Sequence, residues 1–101
     1  MEKGSFIGYH YSDEIHDGVV RQVHHDNEGL RVDIETAEGQ SVSFNFTGVQ
    51  SVAAQQAEGM LLYSLSEMES EPPFRKFVFT NSDEDDPARL EIVAQRLERS
   101  R

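Results

Sequence analysis

The amino-acid sequence predicts a mainly β fold, a single antiparallel β-sandwich or half-open barrel of about six strands. Three stretches carry that expectation. Leu30-Arg31-Val32-Asp33-Ile34-Glu35 alternates strictly between apolar and polar residues, the period of a strand with one dry face and one wet face. Val42-Ser43-Phe44-Asn45-Phe46 repeats the alternation beyond the short turn Ala37-Glu38-Gly39-Gln40. Val19-Val20-Arg21-Gln22-Val23 precedes both, rich in β-branched residues and bounded by Gly18 and by the turn Asp26-Asn27-Glu28-Gly29. Together they read as an antiparallel meander. Leu30, Val32, Ile34, Val42, Phe44 and Phe46 face the core, and Arg31, Asp33, Glu35, Ser43 and Asn45 face water.

The later elements follow in order. In residues 48–59, Val49, Val52, Ala53 and Ala57 lie near helical spacing, which admits a short helical turn without a convincing cap. Met60-Leu61-Leu62-Tyr63-Ser64-Leu65 reads as a fourth strand. Glu69-Ser70-Glu71-Pro72-Pro73 is loop, since proline supplies no ladder donor. Residues 74–80 read as a fifth strand, and Phe44, Phe46, Phe74, Phe77 and Phe79 as core. Asn81-Ser82-Asp83-Glu84-Asp85-Asp86 is a solvated acidic loop.

The C-terminal segment is either strand or short helix. Asp86-Pro87 suits a helix start, with Leu90, Val93, Ala94 and Leu97 at helical spacing. Leu90, Ile92 and Ala94 also alternate, and the branched Ile92 and Val93 are weaker helix formers.

One hundred and one residues make one domain, residues 1–101, because a second core would be too small to be stable. Leu, Ile, Val and Phe supply about a quarter of the chain, above the roughly one fifth below which disorder is the better expectation. There is no cysteine, which removes disulfides, thiolate metal sites and a thiol nucleophile. The first residues show no apolar run of signal-peptide length, and nothing approaches a membrane span, so the expected location is cytoplasmic. Nineteen acidic against nine basic side chains give a net charge of −10. That field repels phosphate backbones and favours encounter with a basic protein. No nucleic-acid or membrane partner is expected.

The chemically capable residues cluster in one stretch. His10, His16, His24 and His25 fall within sixteen residues, beside Asp13, Glu14, Asp17 and Asp26. Imidazole and carboxylate are the ligands Zn²⁺ or Fe²⁺ would need in a chain without cysteine. A metal-binding or hydrolytic site built from His10, His16, Asp17, His24 and His25 is therefore the alternative to a binding module. On a strand beginning near Ile15, however, His16 and His24 would stand roughly 26 Å apart. Asp17 would then face away from His16 and instead shape the turn at Gly18, while the imidazole bonds a neighbouring strand. His24 and His25 would be solvated at a strand end. The expectation is accordingly no metal, no cofactor and no catalytic residue. Asp83-Glu84-Asp85-Asp86 lacks the ligand spacing of a calcium loop. A third class, a small-ligand pocket lined by Phe and Tyr, has no ligand specified by the sequence.

Ile15-His16-Asp17-Gly18-Val19-Val20, the alternating hairpin after it, Phe46-Thr47-Gly48-Val49 and Leu90-Glu91-Ile92-Val93-Ala94 resemble, in outline, a set of small bacterial all-β domains. Some of those are similar to immunity proteins of polymorphic toxin systems, which neutralise a partner toxin by binding it. The resemblance implies a C-terminal strand and non-catalytic recognition of a protein. The contact surface expected from charge is Asp33 and Glu35 on the wet face of the first hairpin, with Asp83, Glu84, Asp85 and Asp86.

Overall fold

The alternation in residues 19–47 becomes three consecutive paired strands in the computed structural model, which describes residues 5–83 and 85–100. They are β2 (Val19–Asp26), β3 (Gly29–Glu35) and β4 (Ser41–Thr47). Before them come β1 (Phe6–Tyr9) and a single-turn helix, α1 (Ser12–Ile15). After them come β5 (Ser51–Gln55), β6 (Leu62–Met68), β7 (Arg75–Asn81), β8 (Arg89–Ala94) and β9 (Arg96–Ser100). One sheet has the order β2-β3-β4-β9 and the other β1-β6-β7-β8-β5, all antiparallel. The two face each other as a sandwich rather than a closed barrel. No helix among the described residues is long and apolar enough to cross a membrane.

Register explains which side chains are dry. Leu30, Val32 and Ile34 stand opposite Phe46, Phe44 and Val42, and all six are buried. Arg31 is exposed, and Asp33, Glu35, Ser43 and Asn45 are half-buried on the other face. In the second sheet Phe77 and Phe79 stand opposite Ile92 and Leu90, equally buried. The sheets meet ring on ring: Phe46 lies 5.3 Å from Phe77 and 6.1 Å from Phe79, and Phe44 lies 6.1 Å from Phe79. These separations suit tilted and edge-on aromatic contact.

Two crossings join the layers. β4 pairs with β9 and β5 with β8, so one two-stranded ribbon passes from sheet to sheet. At its bend Gly48 adopts φ +63° and the Gln95 N–H donates to the Thr47 carbonyl at 3.0 Å. At the other crossing, Val20 N–H donates to Met60 O at 3.0 Å and Gly59 N–H to Val20 O at 2.7 Å. Gly29 closes the β2–β3 turn, where a Cβ would run into the Phe46 carbonyl oxygen.

The structure departs from the sequence expectations at definite places. The described residues form nine strands, where the sequence predicts about six. Residues 51–55 are strand, not helical turn: Val52 faces Ile92 across the β5–β8 pair, and that pairing outweighs the helical spacing. Of the two alternatives for the C-terminal segment the strand is the one observed, and beyond Gln95 the chain forms a further strand, β9. Asp86 accepts the Ala88 N–H at 2.9 Å, so it shapes a turn rather than starting a helix. Ile15 does not begin a strand; it ends α1, fully buried. Phe74 is half-buried outside the core. Because Phe44 touches rings of the opposite sheet, Phe44→Ala should lower unfolding free energy by about 3–5 kcal/mol in urea titrations. A loss under about 1 kcal/mol would contradict the sheet-to-sheet contact described here.

Candidate functional site

Among the described residues six large apolar side chains stay exposed, between 44% and 61%: Phe6, Ile7, Tyr9, Tyr11, Leu61 and Tyr63. They belong to β1, the turn into α1, the residue just before β6 (Leu61) and the start of β6 (Tyr63). Their exposure follows from the topology. β1 pairs only with β6, as the edge of its sheet, and Phe6 and Tyr9 stand opposite Met68 and Ser66 on its outer face. The Phe6 and Tyr9 rings lie 4.8 Å apart. Tyr63 falls at a register shift between Leu62 and Ser64, while Leu62 beside it is buried. Tyr11 differs, since its ring leans on Phe44 at 5.4 Å and seals one end of the core.

α1 frames this face. Tyr11 takes φ +56°, and its carbonyl accepts the N–H groups of Glu14 and Ile15. Ser12 Oγ accepts the Leu65 N–H at 3.2 Å and donates to the Leu65 carbonyl at 3.3 Å, fastening the helix to β6. Arg99 of β9 closes on the Glu14 carboxylate from the opposite sheet, a pairing that raises the pKa of the guanidinium. His16 Nδ1–H donates to the Tyr63 carbonyl at 3.2 Å, and the two rings meet edge-on at 5.3 Å. Tyr9, Ser12, Asp13, His16, Tyr63 and Ser64 together line an open cleft of about 340 Å³.

The charges around the face are one-sided. Most basic side chains of the described residues serve acids elsewhere: Arg21 pairs with Glu35, Arg31 with Asp33, Arg75 with Glu67, Lys76 and Arg89 with Glu91. No Lys or Arg among the described residues lies in ion-pair reach of Asp13 or Asp17. The same holds for Asp83, Asp85 and Asp86, whose loop follows Ser82, the donor to the Leu61 carbonyl at 2.9 Å. Exposed aromatic side chains thus run along β6, from Phe6 opposite Met68 to Leu61 beside Ser82, and Asp13, Asp17 and the β7–β8 turn, which no Lys or Arg of the described residues pairs, border the Leu61 half of that strip.

The residues expected to carry function are spread more widely. Asp33 accepts the Ser43 hydroxyl at 2.6 Å and sits 3.1 Å from Arg31; Glu35 sits 2.7 Å from Arg21. Both charges are locally balanced, on the outer face of the four-stranded sheet. Asp83 and Asp86 accept the N–H groups of Asp85 and Ala88 within the β7–β8 turn, and Glu84 lies outside the described residues. The five residues of the metal or hydrolytic alternative do not converge. His10 bonds Glu67 at 2.8 Å, His16 and Asp17 follow α1, and His24 and His25 sit at the far end of β2. Among the described residues, no group of three or more His, Asp or Glu side chains could hold a metal ion. Asp17 does not face away from His16, because the pair lies in a bend with φ +67° at Asp17; its carboxylate is 3.7 Å from His16 Nε2. That bend is fixed by backbone, Asp17 N–H donating to Leu62 O, rather than by the carboxylate. Asp13 belongs to the acidic residues that the sequence places beside the histidines, whereas Tyr9, Leu61 and Tyr63 carry no functional signal of their own in the sequence. One signal was available: with Leu62 buried on a strand, its neighbours Leu61 and Tyr63 must point outward.

Glu67 anchors the strands beneath this face. It is only 7% exposed, and Arg75 holds it with two 2.9 Å bonds while resting 5.0 Å over the Phe77 ring. Hydrogen bonding to Arg75 lowers the carboxyl pKa below its ordinary 4.5, against a burial effect that raises it, and His10 adds to the lowering. Comparison with family models, curated proteins and solved structures finds no match.

A depressed folded-state pKa stabilises the fold above the ordinary carboxyl value, and the contribution disappears as pH falls through the lowered value. Glu67→Gln should therefore cost about 2 kcal/mol in denaturant titrations near neutrality. The difference from wild type should shrink once pH drops below the ordinary glutamate value of 4.5. A gap that widens on acidification would contradict this ion cluster.

Proposed function

We propose that the domain is a non-catalytic protein-binding module whose docking face is the aromatic end formed by β1, α1 and the start of β6. The observation that carries this is the strip of exposed Phe6, Tyr9, Tyr63 and Leu61 along β6, bordered by Asp13 and Asp17, which no Lys or Arg of the described residues pairs. Exposed aromatic area supplies contact energy when covered by a partner, and a rim of one sign selects the partner's charge. The partner is a basic protein. Recognition by binding alone also agrees with the resemblance to immunity proteins. The histidines fit this account because His10 and His16 are engaged in holding β1 and α1 onto the sheet.

Affinity capture with wild type and with a Tyr9→Ser/Tyr63→Ser variant, followed by reconstitution of any captured protein, tests the proposal. Association should slow as salt rises, since screening shortens charge steering to about 8 Å near physiological ionic strength. Neutralising Asp13, Asp17, Asp83, Asp85 and Asp86 to Asn should slow it further and leave the fold intact. A partner whose association ignores salt, the aromatic substitutions and the neutralised carboxylates would refute the docking face.

A further inference from the structure

We propose that the cleft between β1, α1 and β6 receives the guanidinium side chain of an arginine presented by the protein partner. This rests on the docking face proposed above and names the group that anchors it. The cleft combines two tyrosine rings, the His16 ring and the Asp13 carboxylate. Aromatic faces carry negative charge density and attract cations, most strongly where water is displaced. Asp13 is exposed and has no Lys or Arg among the described residues in ion-pair reach, which leaves its carboxylate open to an incoming cation.

Other occupants fit less well. An anion would meet Asp13 within a chain of net charge −10. A purely apolar side chain would strip water from the Asp13 carboxylate and return no hydrogen bond. A second copy of the chain carries the same −10 and would be repelled. Arginine suits the site better than lysine because its guanidinium is planar, weakly hydrated and able to stack on a ring while bonding a carboxylate. His16 Nδ1–H is committed to the Tyr63 carbonyl, and its Nε2 lies 3.7 Å from the Asp17 carboxylate, a second negative group beside the cleft. Two other clefts border the four-stranded sheet, but both include Arg31, which already supplies a cation to Asp33.

The test is an amide-resolved NMR titration of the full chain with the peptide acetyl-Gly-Arg-Gly-amide, and with the same peptide carrying citrulline, which keeps the shape without the charge. The arginine peptide should give saturable shifts centred on Tyr9, Asp13, His16 and Tyr63, with the citrulline peptide about tenfold weaker or more. Asp13→Asn should weaken binding about fivefold or more, and Tyr63→Phe should retain it because the ring face survives. Unchanged amide positions away from the cleft establish that each variant is folded. Equal binding of the citrulline peptide, shifts centred on residues 83–86 instead, or no saturable shift at the cleft would overturn the assignment. If the tyrosine substitutions abolish partner capture while the arginine peptide leaves the cleft unperturbed, the arginine assignment fails and the docking face stands. If the peptide binds but those substitutions leave capture unchanged, the docking face fails.

Discussion

The contact of Phe44 and Phe46 with Phe77 and Phe79 is the constraint on which the rest of the molecule depends. A small sandwich has few residues with which to bind two sheets together, and these four rings span the gap at centroid separations of 5.3–6.1 Å. Each ring reaches the interface only if its strand keeps register, because a slip of one residue would turn it to water. The pairing of Val32 with Phe44 and of Phe77 with Ile92 therefore fixes both layers at once. Once the layers are fixed, the ribbon β4–β5 against β8–β9 must bend between them, and β1 and α1 are left to close one end.

That closure determines where apolar surface is exposed. Ile15 turns inward to finish the core and the Tyr11 ring lies over Phe44 at its margin, while the outer face of the β1–β6 pair keeps Phe6, Tyr9 and Tyr63 in water. Charge is sorted by the same topology. Arg21 and Arg31 lie beside Glu35 and Asp33 on the four-stranded sheet, and Lys76 and Arg89 converge on Glu91 in the other. The acidic excess is left at the turns, including Asp13, Asp17 and the β7–β8 loop, next to the exposed rings. The proposed binding role thus arises from what the fold leaves over once its core and ion pairs are satisfied.

Much of the fold was legible because period-two alternation is directly readable in residues 30–35 and 42–46, and the inward residues there are the observed core. Legibility failed where local pattern and long-range pairing disagree. Residues 51–55 carry helical spacing yet pair with β8. β1 is four residues long and sends its large side chains outward, so it offers no core pattern to detect. α1 has no side-chain cap and is secured by Ser12 and Ile15 contacts with distant residues. The site was less legible than the fold. Net charge identified an acidic protein. Arg31 and Asp33 are same-face neighbours two residues apart on β3, but the cross-strand pairing of Arg21 with Glu35 depends on register. The same holds for the gathering of Tyr9, His16 and Tyr63, which are distant in sequence.

If the exposed rings serve a partner, the fold does not need them. Equilibrium unfolding of a Tyr9→Ser/Leu61→Ser/Tyr63→Ser variant measures this directly. The three half-exposed side chains together should contribute less than about 2 kcal/mol, with an unchanged denaturant slope. A loss of about 3–5 kcal/mol, the size expected for removing a core phenylalanine, would show that these residues belong to the folding core and would contradict their role as a docking face.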